Sequence, residues 1–200
     1  MKIALLNDTH FGVRNDSMIF DDFLHKFYEE VFFPYLEKHN IKTLIHLGDV
    51  VDRRKYINFR VADNFRKKFL NKLWDMKIDT HMLIGNHDIY FKNTLKINAP
   101  KHLLSEYDNI EIIDKPCHLQ FDDMKIAMIP WICPDNRKEI DDFIDQSDAT
   151  VCMGHLELTG FEAVPGRFME HGDDPSPYEK FDIEQPDECI IIDMNDICFH

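Results

Sequence analysis

Short runs of consecutive apolar residues alternate along the chain with longer stretches in which apolar positions recur every three or four residues. Residues 2–6 (KIALL), 43–47 (TLIHL), 80–84 (THMLI) and 149–153 (ATVCM) have the length and β-branched content of buried strands. Ser17 is placed to cap a helix running to about Lys38, with Ile19, Phe20, Phe23, Leu24, Phe27, Val31 and Phe32 on its apolar face, and Pro34 is expected to kink it or end it early. Residues 58–76 read as a second helix, carried by Phe59, Ala62, Phe65, Phe69 and Leu73. A short helix near 100–107 precedes strands at 110–113, 117–121 and 125–129, and a further short helix covers 137–145. This β-α-β-α-β order predicts an α/β fold with a parallel or mixed sheet and helices on its faces. From Leu156 the pattern fades: 160–187 read as loop, with Pro165, Pro175, Pro177 and Pro186, and 189–192 (CIII) form one last apolar run.

Four polar clusters directly follow apolar runs: Asn7-Asp8-Thr9-His10, Gly48-Asp49-Val50-Val51-Asp52, Gly85-Asn86-His87-Asp88 and Gly154-His155. In open α/β sheets the ligand site lies beyond the carboxyl ends of the strands, which is where each cluster falls. A glycine ahead of a candidate ligand lets the backbone turn sharply and approach closely. Asp and His side chains with an Asn carbonyl make a mixed oxygen and nitrogen shell, which favours Mn, Fe or Zn over Ca. Asp8 and His10, two residues apart in extended chain, point the same way, and a carboxylate such as Asp49 can bridge two ions. Two ions about 3.5–4 Å apart clamp the attacking and leaving oxygens of a phosphoryl group. Each cluster alone is explained by an ordinary turn; all four, in order and at strand ends, point to a metal-dependent phosphoesterase.

Composition sharpens the picture. The chain has 200 residues, one domain's worth, and no run of about 18 apolar residues, so no membrane span is expected. Five cysteines without a CxxC pair argue for reduced thiols, and the early charge of the N-terminus argues against a secretory signal, which implies a cytoplasmic protein. The net charge of −14 is unevenly spread. Residues 53–72 hold Arg53, Arg54, Lys55, Arg60, Arg66, Lys67, Lys68 and Lys72 against Asp63 alone, a local +7 that reads either as a solvated helix face or as a landing strip for phosphates.

The ordered set formed by Asp8-x-His10, Gly48-Asp49-x-x-Asp52, Gly85-Asn86-His87-Asp88 and Gly154-His155 resembles the calcineurin-like metallophosphoesterases. Residues 8–12 (DTHFG), 129–131 (IPW) and 154–161 (GHLELTGF) are similar to the nuclease group of that family, the SbcD and Mre nucleases and the phage recombination endonuclease subunits. The resemblance covers about residues 1–182 and implies a β-sandwich flanked by helices with two divalent metal ions, Mn foremost and Fe, Zn or Mg as alternatives. It implies Asp8 and His10 on the first metal, Asp49 bridging, Asn86 and His155 on the second, and His87 as the catalytic histidine with Asp52 orienting it. It implies phosphate contact by Arg53, with Arg54 and Lys55 opening the basic strip beside it. The implied activity is a DNA exonuclease and endonuclease of recombination and repair, in the cytoplasm of a bacterial host if phage-encoded. An SbcC-like ATPase is the implied partner, and the N-terminal helices are a candidate homodimer face.

One motif of the family, GHxH after a further strand, has no counterpart: after His171 the only histidine is His200. Residues 1–182 are therefore expected to form an incomplete nuclease domain and 183–200 a divergent acidic tail, with the reading frame interrupted near Asp182. Water would fill the two positions left open on the metals, and the CIII run would patch the exposed sheet edge. The competing readings are an inactive or split-enzyme fragment and a nucleotide or phosphoprotein phosphoesterase. The last is echoed by residues 48–53 (GDVVDR), although Asp88 stands where those phosphatases have Glu.

Overall fold

The computed structural model describes residues 1–164, 166–181 and 189–193. Its strands are β1 (Ile3–Asn7), β2 (Thr43–His46), β3 (Asp79–Leu83), β4 (Ile110–Ile113), β5 (Cys117–Phe121), β6 (Met124–Ile129), β7 (Val151–Gly154), β8 (Glu162–Val164), β9 (Arg167–Phe168) and β10 (Cys189–Asp193). The main helices are α1 (residues 18–38), α2 (residues 59–75), α3 (Ala99–Leu103) and α4 (Arg137–Gln146). A five-stranded, all-parallel sheet has the order β10-β1-β2-β3-β4, and a three-stranded sheet the order β5-β6-β7, with β5 antiparallel to β6 and β6 parallel to β7.

Alternation along the strands makes the layers. In β1, Ile3 and Leu5 face the second sheet and pack with Ile45, Leu83, Ile126, Met128 and Met153, while Ala4 and Leu6 face the helices. The outer face of the second sheet, Ala127 and Ile129, is covered by Ile140 and Ile144 of α4 and by Phe181. The result is a two-sheet sandwich with helices on both outer faces, as the sequence predicts.

The layer of α1 and α2 is an aromatic cluster. Phe69 is fully buried and its ring lies 4.8 Å from Tyr28, 5.5 Å from Phe11, 5.8 Å from both Phe33 and Phe65, and 6.3 Å from Phe32. Phe11 stacks 4.1 Å from Phe65 and directly follows His10 in the chain, so this core anchors one of the strand-end loops.

Several expectations are corrected. Pro34 does not end α1. The helix widens to a π-helical stretch over Tyr28–Phe32, where the Phe33 N–H reaches back to the Tyr28 carbonyl, and continues to Lys38. That shift of the ladder places the proline at the start of a new α-helical segment, where its missing N–H costs least. The α1 apolar set also splits: Leu24 and Phe32 are buried, whereas Ile19, Phe23 and Val31 are exposed. α3 ends at Leu103 rather than near 107, and β7 begins two residues later than its apolar run. Within 160–187, β8 and β9 form a small antiparallel pair where loop was expected. The CIII run becomes β10, parallel to β1 at the sheet edge. Asp182, 183–188 and His200 lie outside the described residues. Among the described residues no helix is long and apolar enough to cross a membrane.

The aromatic cluster yields a stability prediction. Phe69→Ala removes the ring shared by five neighbours and is expected to cost about 3–5 kcal/mol in urea unfolding followed by circular dichroism; a loss below 1 kcal/mol would show that the cluster is not the packing centre of this layer.

Candidate metal centre

The strand-end loops continue the sheet as a zipper. His10 donates its main-chain N–H to the Asp49 carbonyl (3.0 Å), Phe11 to Val50 (2.9 Å), and Asp52 back to Phe11 (3.1 Å). Asp8, His10 and Asp49 all sit in left-handed backbone conformation, with φ of 51°, 42° and 52°. Such conformations are disfavoured for side-chain-bearing residues and persist where the surroundings impose them, as at functional sites. Gly48, with φ of 106°, has no room for a Cβ, which would lie 2.8 Å from His155 Nδ1 and 2.9 Å from the Gly85 main chain. A Cβ on Gly85 would overlap the Asp49 carboxylate and main-chain nitrogen. These two glycines let three strand ends meet.

Asp49, 4% exposed, is the hub. Its Oδ1 accepts the His87 main-chain N–H (2.7 Å), and its Oδ2 lies 3.6 Å from Nε2 of both His10 and His155. Asp8 Oδ1 is also 3.6 Å from His10 Nε2. The Asn86 Oδ1 lies 3.0 Å from His155 Nε2. The His10 and His87 rings meet edge to face with centroids 4.8 Å apart. Ligand atoms of His10, Asp49 and His87 fall within 4.8 Å of one another, and so do those of Asp8, Asp49 and His155. Asp49 belongs to both groups. The grouping crosses the division implied by the resemblance, setting His10 with His87 and Asp8 with His155.

The donor set suits divalent cations. His155 Nδ1 lies 2.9 Å from the Leu47 carbonyl and His87 Nδ1 lies 2.6 Å from the Asp52 carbonyl. A carbonyl only accepts, so Nδ1 carries a proton in each ring and Nε2 faces inward; in His155 Nε2 is the atom a metal would take. Burial, and then the nearness of the His87 and His155 rings, lowers the His10 pKa to about 4, while burial raises that of Asp49 to about 6. A pocket that keeps its imidazole neutral and makes its carboxylate costly to ionise lacks positive charge, which bound cations supply.

The structure brings Asp8, His10, Asp49, Asn86, His87 and His155 together. Asp52 stands at the edge and is a correction: its main-chain carbonyl, not its carboxylate, holds His87, while its Oδ1 is 3.9 Å from His10 Nδ1. Arg53 is another. Its guanidinium is tied to Asp16 Oδ2 (2.8 Å) and Asn15 Oδ1 (2.7 Å) rather than free for substrate. Arg54 keeps an Nη1 shielded from solvent that donates to none of the described residues, and its charge is felt at Asp49. Lys55 is exposed, with Nζ 5.3 Å from the Tyr90 ring. The basic strip is partly neutralised, since Arg66 pairs with Glu106 and Lys67 with Asp63.

Two residues absent from the candidate list hold the site. Asp88 is fully buried; its Oδ1 accepts the N–H groups of Val50 (2.9 Å) and Val51 (3.2 Å), and its Oδ2 that of Gly85 (2.9 Å). Burial, and then the Asp49 charge, raise its pKa to about 6. His46, also fully buried, accepts the Gly48 N–H at Nδ1 (3.2 Å) and meets Thr9 Oγ1 with Nε2 (3.1 Å), while Thr9 donates to the Val50 carbonyl (3.2 Å). Their sequence signal is a polar residue closing an otherwise apolar strand and an acid behind a glycine turn. Trp131 of the IPW stretch lies edge to face with His155, centroids 5.8 Å apart.

This sandwich, with its strand-end Asp, Asn and His cluster, is the architecture of a phosphoesterase that works with divalent metals. The chain belongs to the calcineurin-like phosphoesterase family, whose model matches residues 1–192. It is 36% identical over 178 residues to exonuclease subunit 1 of Enterobacteria phage T4, covering 88% of this chain and 51% of that protein. It is 30% identical over 113 residues to a probable cyclic nucleotide phosphodiesterase of Xenorhabdus bovienii, covering 54% of this chain and 44% of that one. The chain spans about half the length of these curated relatives. Among solved structures, a protein of unknown function from Aquifex aeolicus aligns over 98% of this chain and 92% of that chain at 17% identity, with a TM-score of 0.49.

The His46 network has a pH signature. Burial lowers its pKa to about 3, whereas an unfolded histidine titrates near 6.5. The unfolded chain therefore binds more protons between these values, and stability falls as pH drops from about 6.5 towards 3. Asp49 and Asp88, raised to about 6, act in the opposite sense as pH drops towards 4. His46→Gln is expected to flatten the loss of urea midpoint between pH 7 and 5 relative to the parent; identical slopes would show that His46 is not held neutral.

Proposed function

We propose that this chain carries the catalytic site of a divalent-metal-dependent phosphodiesterase acting on DNA. The observation that carries the reading is the buried Asp49 carboxylate shared by two ligand groups at the ends of four strands, in a chain of the calcineurin-like phosphoesterase family. Asp8, His10, Asn86 and His155 would complete the shells of two ions, with Mn the first choice and Fe, Zn or Mg the alternatives for such a mixed donor set. Bound divalent ions at such a centre lower the pKa of water and stabilise charge on the phosphoryl oxygens.

The chain's own groups do the rest. His87 is held by the Asp52 carbonyl through Nδ1, so Nε2 faces the site and, with a proton on it as well, would give that proton to the leaving oxygen. Arg54 and Lys55 bring positive charge to the mouth of the site, while Arg53 braces the turn at Asn15 and Asp16. The nuclease name of the phage relative and the basic strip of residues 53–72 favour DNA over a small nucleotide. The resemblance read from the sequence motifs supports residues 1–182 as an incomplete nuclease domain with an SbcC-like ATPase partner, in recombination and repair. The exposed α1 face of Ile19, Phe23 and Val31 fits a second copy of the chain.

The test is cleavage of linear DNA with added Mn. The parent chain is expected to bind DNA with a measurable salt slope and to cleave it. His87→Ala should lose roughly 10²–10⁴-fold in rate. No salt-sensitive binding and no cleavage of any DNA would overturn the reading in favour of an inactive fragment or a nucleotide phosphoesterase.

A further inference from the structure

Beside the metal centre lies a cleft of about 180 Å³, lined by Val51, Arg54, Tyr56, Ile57, Tyr90 and Leu103 among others. Its walls continue the site's own loops. Residues 53–57 follow Asp52, whose carbonyl holds His87, and Tyr90 follows Asp88, with its N–H bonded to the Ile97 carbonyl (2.9 Å).

Two tyrosine rings sit in this cleft without a place in the core, Tyr56 at 63% and Tyr90 at 38% exposure. Both carry a cation: the Arg53 guanidinium carbon is 5.0 Å from the Tyr56 ring and Lys55 Nζ is 5.3 Å from that of Tyr90. Arg53 is itself pinned by Asp16 and Asn15, so Tyr56 leans on a fixed support. Val51 supplies a buried apolar wall. Arg54, which also lines the cleft, offers a solvent-shielded donor with no partner among the described residues. An aromatic-lined cleft with guanidinium and ammonium groups at its edge is the chemistry that receives a base with its phosphate. Base stacking on aromatics tolerates every sequence, because every base has a π-face.

We propose that this cleft is a nucleobase site, in which the base next to the scissile phosphate leaves its stack and lies against Tyr56 and Tyr90. The proposal rests on the DNA reading above and deepens it by naming the substrate class. Taking a base out of the stack costs least where it is already single-stranded, so the preferred substrate is a single strand or a frayed end. Continuity with the metal centre and the cations at its edge select a DNA strand as the occupant over a free nucleotide.

The test uses the whole chain in EDTA, which blocks cleavage, and fluorescence anisotropy of two labelled single strands, one with all bases and one with abasic residues at both ends. The parent chain is expected to bind the intact strand roughly tenfold or more tightly than the abasic one. Tyr56→Ala and Tyr90→Ala should each reduce that preference, and the Phe variants should restore it. Because both rings are exposed, circular dichroism should show the Ala variants folded. Equal binding of the two strands by the parent, or equal weakening of both by the Ala variants, would overturn the nucleobase site and leave the DNA reading standing. No salt-sensitive binding of either strand would overturn both. Tighter binding of a free cyclic nucleotide than of the intact strand would overturn DNA as the occupant.

Discussion

The Asp88 carboxylate accepts three main-chain N–H groups from two different strand ends, those of Val50 and Val51 beyond β2 and that of Gly85 beyond β3. It is fully buried, and burial of a carboxylate is unfavourable unless hydrogen bonds replace its water. Each of the three N–H groups would otherwise be a buried donor without a partner, at a cost of about 1–3 kcal/mol. The clamp thus fixes the distance between the loop that carries Asp49 and the loop that carries Asn86 and His87. His46 and Thr9 do the same between β1 and β2. Together these neutral and anionic contacts hold Asp8, His10 and Asp49 in left-handed backbone that none of them would adopt freely.

The sandwich and the aromatic layer explain why the clamps can be rigid. The loop of His10 ends in Phe11, which is buried against Phe65 and Phe69, so the α1 and α2 layer anchors that loop directly. On the other face, Trp131 and the Leu47 carbonyl fix the His155 ring. His87 and His155, which converge on Asp49, are each held through Nδ1 by a main-chain carbonyl. That is the preorganisation a phosphoryl-transfer site needs.

Much of this was legible in the sequence because strand ends punctuate it. Apolar runs followed at once by Gly-Asp, Gly-Asn-His-Asp or Gly-His mark both the sheet and the edge where its polar side chains converge. What escaped were features settled by tertiary contacts. Pro34 reads as a helix stop, yet a π-helical stretch absorbs it because Tyr28, Phe32 and Phe33 are all needed against Phe69. Arg53 reads as a phosphate ligand, but Asp16 and Asn15 in the left-handed turn claim its guanidinium. Asp52 reads as a carboxylate partner for His87, and only the backbone path shows that its carbonyl is the contact. Asp88 and His46 carry no periodic signal, since a clamp depends on what lies across the fold from it.

The clamps converge on one carboxylate, Asp49, shared by two ligand groups, and the proposed function fills these with two ions. The most direct measurement is the number of Mn ions held by the purified chain, determined by equilibrium dialysis with elemental analysis, for the parent and for Asp49→Ala. Two ions in the parent, both lost in the variant while the fold persists, is the result the structure predicts. One ion or none in the parent, or an Asp49→Ala variant that keeps both, would contradict it.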